Sequence, residues 1–193
     1  MKNSKLIIGL AVVAVTVIVI GRWAASTYNS MVGVQEQATT AMANVQSAYQ
    51  RRADLIPNLV ETVKGYAAHE QETLEGVVEA RSKATSITLD AGSIESFQAA
   101  QGELSSALGR LIAIGEAYPD LKANENFREL QVQLEGTENR INEARNKYNE
   151  AVQAYNLVIR AFPKNIFANL FGFEKMTKFE AAAGAEKAPE VKF

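Results

Sequence analysis

Several residue types that support common chemistries are scarce or absent in this sequence. Its 193 residues include no cysteine, one histidine and four prolines. Without cysteine, the chain has no disulfide bond, thiolate metal site, cysteine nucleophile or lipid-modified N-terminal cysteine. His69 cannot form a histidine-rich metal site alone, and Thr73 stands where a zinc-protease helix would carry its second histidine. We therefore predict a protein that is not an enzyme and that has no catalytic residue, no metal site and no cofactor.

A surplus of positive charge is also missing. The chain has 20 Lys and Arg against 22 Asp and Glu, which gives a formal net charge of −2. A nucleic-acid-binding protein needs excess cations to neutralise phosphates, so we expect no nucleic-acid partner. Few prolines and 47% hydrophobic residues permit long packed helices, and no alternating strand pattern appears.

The N-terminus carries an uncharged run of 16 residues, Leu6–Gly21, rich in Leu, Ile and Val. As a helix it would span about 24 Å at roughly 1.5 Å per residue, slightly less than a hydrocarbon core of about 30 Å. Lys5 and Arg22 can extend toward the headgroups, and Trp23 suits the membrane interface. We predict that residues 1–27 form a transmembrane anchor that contacts lipid through residues 6–21.

A cleaved signal peptide is the alternative, with Ala24-Ala25-Ser26 as the cleavage site. The apolar run is longer than the roughly 7–15 residues usual for such peptides, and Arg22 stands where small neutral residues are expected. Both facts favour an uncleaved anchor. Lys2 and Lys5 favour a cytoplasmic N-terminus, so that the rest of the chain lies outside the cytoplasm.

Apolar residues recur at alternating steps of three and four in three later stretches, as in coiled coils. The first comprises Ala38, Met42, Val45, Tyr49, Arg52, Ile56, Leu59, Val63 and Tyr66, continued by Ala67, Leu74, Val77 and Ala84. The second comprises Ile94, Phe97, Gln101, Leu104, Leu108 and Leu111. The third comprises Phe127, Leu130, Leu134, Thr137, Ile141, Ala144, Tyr148, Ala151, Tyr155, Val158 and Phe162. The pattern predicts an all-α fold in which an antiparallel, up-and-down bundle of long helices follows the anchor.

Capping residues and prolines set the expected helix boundaries. Ser93 is a suitable N-cap for the second stretch, and residues 118–123 read as a short connector. Asn124 is a suitable N-cap for a helix over Asn124–Ala161, which Pro163 would end.

Pro57 leaves the number of bundle helices open between three and four. The apolar phase passes through it unshifted, which favours a kinked continuous helix. If the helix breaks instead, Asp54 would cap a new one. In either case we assign residues 28–173 to the bundle and residues 174–193, rich in Ala, Glu and Lys, to a flexible tail.

The densest polar cluster is the candidate partner-binding site. It comprises Arg51, Arg52, Asp54, Asn58, Glu61 and Lys64. Most of these positions share one helix face, but Arg52 falls on the apolar seam, where an unpaired charge is costly. Arg52 could instead fix the helix register by pairing with a glutamate of another helix, such as Glu129, Glu135 or Glu143.

Two further features concern aromatic residues. Tyr148-Asn149 and Tyr155-Asn156 repeat one dipeptide a heptad apart, and their rings are expected to pack while the hydroxyls find partners. The second feature is an apolar segment that could cover one end of the bundle or contact a membrane or another copy. It comprises Ile166, Phe167, Leu170, Phe171 and Phe173.

The run of residues 51–67, RRADLIPNLVETVKGYA, closely resembles the hallmark segment of the bacterial LemA family. Residues 118–127, YPDLKANENF, and the two Tyr-Asn pairs followed by Phe162-Pro163 resemble its later blocks. The resemblance covers roughly residues 28–173 and leaves the tail outside. It implies a membrane-anchored, antiparallel helical bundle without established enzymatic activity. Its gene neighbourhoods imply TPM-domain proteins or a membrane zinc metalloprotease as envelope partners.

Together these features predict a single-pass protein of the bacterial inner membrane with its bundle outside the cytoplasm. We expect a non-enzymatic scaffold or adaptor that acts through self-assembly, as a homo-oligomer, or through protein partners. The alternative is a membrane-shaping protein that binds lipid through the apolar segment around Phe167.

Overall fold

The computed structural model describes residues 2–90 and 92–180, with side chains from Ile7 onward. These residues form six α-helices and contain no strand. The helices are α1 (Lys2–Lys64), α2 (Gln71–Ser86), α3 (Ile94–Ala117), α4 (Pro119–Ala123), α5 (Glu125–Arg160) and α6 (Lys164–Phe171). They divide into two compact units, which are residues 2–40 with 150–176, and residues 41–90 and 92–149 with 177–180. The expected all-α class is confirmed.

Helix α1 continues through Pro57, as the unshifted apolar phase predicted. A proline at this position cannot donate to the carbonyl of Ala53 four residues earlier. Arg81 of α2 supplies the missing donor, with its Nε 2.8 Å from the Ala53 oxygen. The carbonyl that the proline leaves without a helical partner thus joins α1 to α2.

The chain reverses between α1 and α2 rather than at Pro57. The apolar pattern predicted that the helix would continue beyond Tyr66, but α1 ends at Lys64 and Gly65 follows, a residue common directly after helices. Ala67 donates to the Val63 carbonyl at 2.8 Å, which closes the last turn. The second unit therefore contains four long helical segments, from α1, α2, α3 and α5.

The core of the second unit is built from the predicted seams. Its fully or nearly fully buried residues include Ile56, Leu59, Val63, Val77, Leu104, Leu111, Leu121 and Phe127. Gly115 lies directly against the Phe127 ring, because a Cβ at this position would approach its Cζ atom to 2.2 Å. Only a hydrogen fits there, so α3 and the start of α5 pack closely.

The capping predictions differ in outcome. Asn124 caps α5 as expected, since its Oδ1 accepts from the Phe127 amide at 3.0 Å. Ser93 stands at the N-cap of α3 but makes no capping bond, and its hydroxyl donates to the Thr88 carbonyl instead. The expected connector, residues 118–123, contains the short helix α4.

The first unit has a small core and many exposed apolar residues. Met31, Tyr155, Ile159 and Ala168 form a buried cluster contributed by α1, α5 and α6, and Ala38 and Val152 are also buried. In the part of the chain that the structure describes, one helix is long and apolar enough to cross a membrane, namely α1, from Ile7 onward. Its large apolar residues from Ile7 to Ile20 are 55–64% exposed.

Residues 173–180 follow α6 without forming a helix. The sequence predicted a flexible tail over residues 174–193. Residues 174–180 of that range are described, and those that hydrogen-bond through main-chain atoms to helical side chains include Glu174, Met176, Thr177, Phe179 and Glu180. Residues 181–193 lie outside the described part.

Candidate functional site

Five of the six predicted partner-binding residues are exposed on α1. They are Arg51, Asp54, Asn58, Glu61 and Lys64. The contacts among neighbours on this face are local: Gln50 donates to Asp54 at 2.8 Å, and Lys64 lies 3.9 Å from Glu61. Exposed pairs of this kind contribute little to folding stability, so these side chains can exchange partners with little loss of free energy.

Grooves border this face on both sides within the second unit. The first, of about 580 Å³, lies between α1 and α5, with small residues such as Ala41, Ala48 and Ala144 on its wall. Arg51 and Asp54 line the same groove. The second groove, of about 720 Å³, lies between α1 and α2. Its lining includes Val60, Glu61, Lys64, Leu74 and Val78.

Arg52, the sixth predicted residue, is buried at 1% exposure. Its guanidinium pairs with Glu138 of α5 and donates to Ser105 of α3 at 3.0 Å and to the Gln101 side chain. The ring of Tyr49 lies 5.2 Å from the guanidinium carbon. One buried arginine thereby connects three helices at a single level.

This arrangement is the register-fixing ion pair that the seam position suggested, with a different partner. The glutamates named from the sequence were Glu129, Glu135 and Glu143, whereas the structure pairs Arg52 with Glu138. Burial raises the pKa of Tyr49, while the nearby positive charges of Arg145 and Arg52 offset part of that effect. The neutral phenol ring thus remains a suitable neighbour for the guanidinium.

The predicted apolar segment forms α6 and the residues that follow it. Phe167 contacts Trp23 edge to face with ring centroids 5.1 Å apart. The rings of Phe171 and Phe173 both contact the Tyr28 ring, with centroids 5.1 and 5.6 Å apart. The segment therefore packs on α1 immediately after the apolar run.

The segment's remaining apolar residues face outward. Ile166 is 57% exposed and Leu170 73% exposed, and Phe162, just before α6, is 82% exposed. Water-exposed apolar residues in such a group are unusual and mark an interaction surface. We call Phe162, Ile166 and Leu170 the α6 apolar face.

The Tyr-Asn pairs hold the non-helical chain that follows α6, a role that was not predicted from the sequence. In the second unit, Tyr148 donates to the Thr177 carbonyl at 2.9 Å. The Asn149 carboxamide donates to the Phe179 carbonyl and accepts from the Phe179 amide, both at 2.9 Å. Burial raises the pKa of Tyr148 to about 12, so its hydroxyl remains a donor.

The first unit repeats this contact with the other pair. Tyr155 donates to the Glu174 carbonyl at 2.8 Å, and the Asn156 carboxamide binds both the carbonyl and the amide of Met176. Each Tyr-Asn pair is therefore a clamp for main-chain atoms. Their identical composition and heptad spacing were the visible indication in the sequence.

His69 is exposed in the turn between α1 and α2. The predicted continuation of the first helix beyond Tyr66 would have placed it within a helix. Its neighbour Glu70 accepts a hydrogen bond from Tyr118 at 3.0 Å. Among residues 2–90 and 92–180, no group of three or more His, Asp or Glu side chains is placed to hold a metal ion.

Comparison with known proteins decides the family. The model of the LemA family matches residues 41–193. This chain belongs to the LemA family. The match differs from the extent expected from sequence: it includes the tail, which had been placed outside the family's region, and it begins at residue 41 rather than 28.

Individual relatives of this LemA-family chain are distant. Magnetosome protein MamQ of Magnetospirillum gryphiswaldense is 25% identical over 180 residues, which cover 81% of this chain and 66% of the relative. Magnetosome protein MamQ 1 of Paramagnetospirillum magneticum is 28% identical over 175 residues, or 79% and 64% of the two chains. Protein LemA of Metamycoplasma hominis is 27% identical over 113 residues, which cover 58% of this chain and 50% of the relative.

The chain thus spans less than two thirds of the length of these relatives. Neither the family description nor these names state a catalytic activity. Family membership and the long apolar part of α1 support a membrane-associated protein.

Proposed function

We propose that this LemA-family protein is a non-enzymatic scaffold, anchored in the bacterial inner membrane with its second unit outside the cytoplasm. It would act by assembling with itself or by binding envelope proteins. TPM-domain proteins and a membrane metalloprotease are the partner candidates that the family resemblance supplies. The observation that carries the proposal is the polar face of α1, a helix that also contains the membrane-spanning run.

The composition of that face supports docking. Its charged residues have weak partners within the chain, so a second protein can bind them without breaking a strong contact. The groove between α1 and α5 combines small apolar walls with a charged rim that includes Arg51, Asp54 and Lys147. Interfaces with an apolar centre and a polar rim are common among protein complexes.

Charge reversal tests the docking face. Full-length protein carrying Arg51→Glu and Lys64→Glu would be cross-linked in its native membrane and compared with Arg110→Glu, an exposed position on α3. We expect the double variant to lose cross-linked complexes and the control to retain them. If the double variant forms the same complexes as the wild type, this face is not a docking site.

A second candidate function is direct action on the bilayer. The Trp23 contact places Phe167 level with the end of the apolar run, and the α6 apolar face is exposed beside it. Aromatic and aliphatic residues at this level favour insertion into the headgroup region. An added apolar wedge in one leaflet would promote curvature, which is the membrane-shaping alternative.

Single cysteines test this candidate, because the native chain has none. Ile166→Cys and Leu170→Cys would be labelled with an environment-sensitive dye in proteoliposomes, with the exposed Lys175→Cys as control. Quenchers attached to lipid tails should quench the first two labels and spare the third. Vesicle diameter would be compared between the wild type and an Ile166→Gln, Leu170→Gln double variant. Equal quenching at all three positions rules the lipid contact out.

A further inference from the structure

The clamp of the second unit binds its segment almost entirely through main-chain atoms. Tyr148 and Asn149 hold Thr177 and Phe179 as described above. On α3, Gln98 donates to the Glu180 carbonyl at 3.0 Å and accepts from its amide at 3.4 Å. Two carboxamides, one from α5 and one from α3, thus pair with the amide and carbonyl groups of two successive residues.

One side chain of the segment completes the contact. Phe179 is 4% exposed, meets the Tyr148 ring at 5.3 Å and lies 5.2 Å from the guanidinium carbon of Arg145. Arg145 also donates to the Glu180 carbonyl at 2.6 Å. The site therefore selects an extended segment with an aromatic residue at one defined position.

An empty clamp would be costly. Tyr148 is fully buried beneath the segment, and removal of Phe179 would expose its ring and leave the carboxamides without their main-chain partners. The clamp is thus expected to stay filled, either by its own segment or by an equivalent one. None of these contacts depends on a covalent connection between clamp and segment.

The connection itself can be redirected. Gly172 ends α6 with φ of 74°, and the Phe173 amide still donates to the Ala168 carbonyl at 2.9 Å, beyond which the chain to residue 180 forms no helix. Glycine adopts positive and negative φ at similar cost, so rotation there can turn the segment away once Tyr155 and Asn156 have released Glu174 and Met176. An identical element exchanged between copies is a low-cost route to oligomers.

The membrane anchor adds a concentration effect. Copies held by α1 in one membrane share a thin layer, which raises the effective concentration of each segment near its neighbours' clamps. Exchange that would be rare in dilute solution is favoured under these conditions.

We propose that the clamp formed by Gln98, Arg145, Tyr148 and Asn149 is an assembly site that binds residues 177–180 of a second copy in place of the chain's own. This proposal rests on the self-assembly proposed above and identifies the segment that joins one copy to the next. The identical sequence of the second copy supplies the aromatic ring and the extended main chain that the clamp requires.

Two differently tagged full-length copies in the native membrane test the exchange. One carries Gln98→Cys and the other Glu180→Cys, and a short bis-maleimide joins cysteines that lie close together. Because the native chain has no cysteine, only the introduced pair can react. The matched control replaces Gln98→Cys with Glu103→Cys, an exposed position on the same helix. We expect about tenfold more mixed dimer from the 98–180 pair than from the 103–180 pair, the ratio that a few hydrogen bonds support.

Phe179→Ala should act in opposite directions in the two copies. In the Glu180→Cys copy it weakens the donated segment and should reduce the mixed dimer about tenfold. In the Gln98→Cys copy it weakens the resident segment, frees the clamp and should increase the mixed dimer. A misfolded variant would reduce cross-linking in both copies, so the increase cannot come from misfolding.

The outcomes separate the two proposals. Equal yields from the 98–180 and 103–180 pairs, or Phe179→Ala effects of the same sign in both copies, overturn the assembly site. If the wild-type particle mass then still corresponds to several copies, the scaffold proposal survives without it. A wild-type mass of one copy overturns self-assembly and the assembly site together.

Discussion

The two units contain similar apolar residues in opposite surroundings. In the second unit Ile56, Leu59 and Val63 are fully buried among α1, α2, α3 and α5. In the first unit Ile18 and Val17, on the same helix, are 60% and 63% exposed. Burial of apolar surface drives folding in water at about 25 cal/mol per Å², so an exposed run of this length is unfavourable in water. Helix α1 thus has one part suited to water and another suited to a second solvent, the lipid bilayer.

The units also differ in how they use polar side chains. The second unit buries an arginine and surrounds it with Glu138, Gln101 and Ser105. A hydrophobic seam alone permits helices to slide by a heptad, whereas a single buried polar group fixes the register. Among its described residues the first unit buries no charged side chain, and its buried polar contacts are those of Tyr155 and Asn156 with the main chain, beside ring contacts such as Trp23–Phe167.

The largest expected effect on the free energy of unfolding comes from comparing a buried apolar residue of the second unit with an exposed one of the first unit. Ile56→Ala leaves a cavity in the bundle and should lower its free energy of unfolding by about 2–5 kcal/mol. Ile18→Ala should change it by less than about 0.5 kcal/mol, because this side chain does not pack in the bundle. Chemical unfolding in lipid nanodiscs, followed by circular dichroism, measures both. Equal losses would mean that residue 18 is also part of a packed core.

The next effect compares two adjacent arginines. Arg52→Ala leaves Glu138 and Gln101 without their partner and should cost about 3 kcal/mol. Arg51→Ala removes an exposed charge and should stay within about 0.5 kcal/mol of the wild type. The same unfolding measurement applies to both variants. A similar cost for both would show that the arginine network does not stabilise the bundle.

A smaller effect concerns the proline in α1. Arg81→Ala removes the donor to the Ala53 carbonyl and should cost about 1–2 kcal/mol. Pro57→Ala restores an amide four residues after Ala53, so Arg81→Ala should cost less in that background. A double-mutant cycle measures the coupling. Strictly additive costs would show that Arg81 acts independently of the proline.

The smallest effect on stability at neutral pH comes from the hydrogen bond between Tyr148 and the Thr177 carbonyl. Tyr148→Phe removes one hydrogen bond and should cost about 1 kcal/mol. The pKa of Tyr148 is about 12 in the folded chain and about 10 when unfolded, so the unfolded chain loses its proton first. The stability that Tyr148 provides is therefore complete below pH 10 and lost as pH rises through 12. Unfolding measured across this window should show a shallower decline in Tyr148→Phe.

Local features of the fold could be predicted from the sequence because their causes are local. Asn124 caps α5 through the amide three residues later, and the apolar phase around Pro57 shows that the helix continues. The end of α1 at Lys64 was missed because the shifted apolar seam that begins at Ala67 was interpreted as a continuation of the same helix. Gly65 was the available indication of that end.

Long-range partners could not be predicted in the same way. Helix α5 carries several glutamates, and the apolar pattern does not show which of them faces Arg52. Only the register in which the helices pack brings Glu138 to it. The polar face of α1 was identifiable because its members share one helix face. The clamp was not, since Asn149 binds an extended segment 30 residues away, and periodicity does not encode such a contact.

Recognition through main-chain atoms has a consequence for how the tail can evolve. Thr177 contributes its carbonyl and Glu180 its carbonyl and amide, groups that nearly every amino acid carries, so substitutions there preserve these hydrogen bonds. Proline at residue 179 or 180 is the exception, since it lacks the donor. Residues 177 and 180 can therefore change among related chains without loss of the contact, whereas residue 179 must remain aromatic because its ring packs against Tyr148.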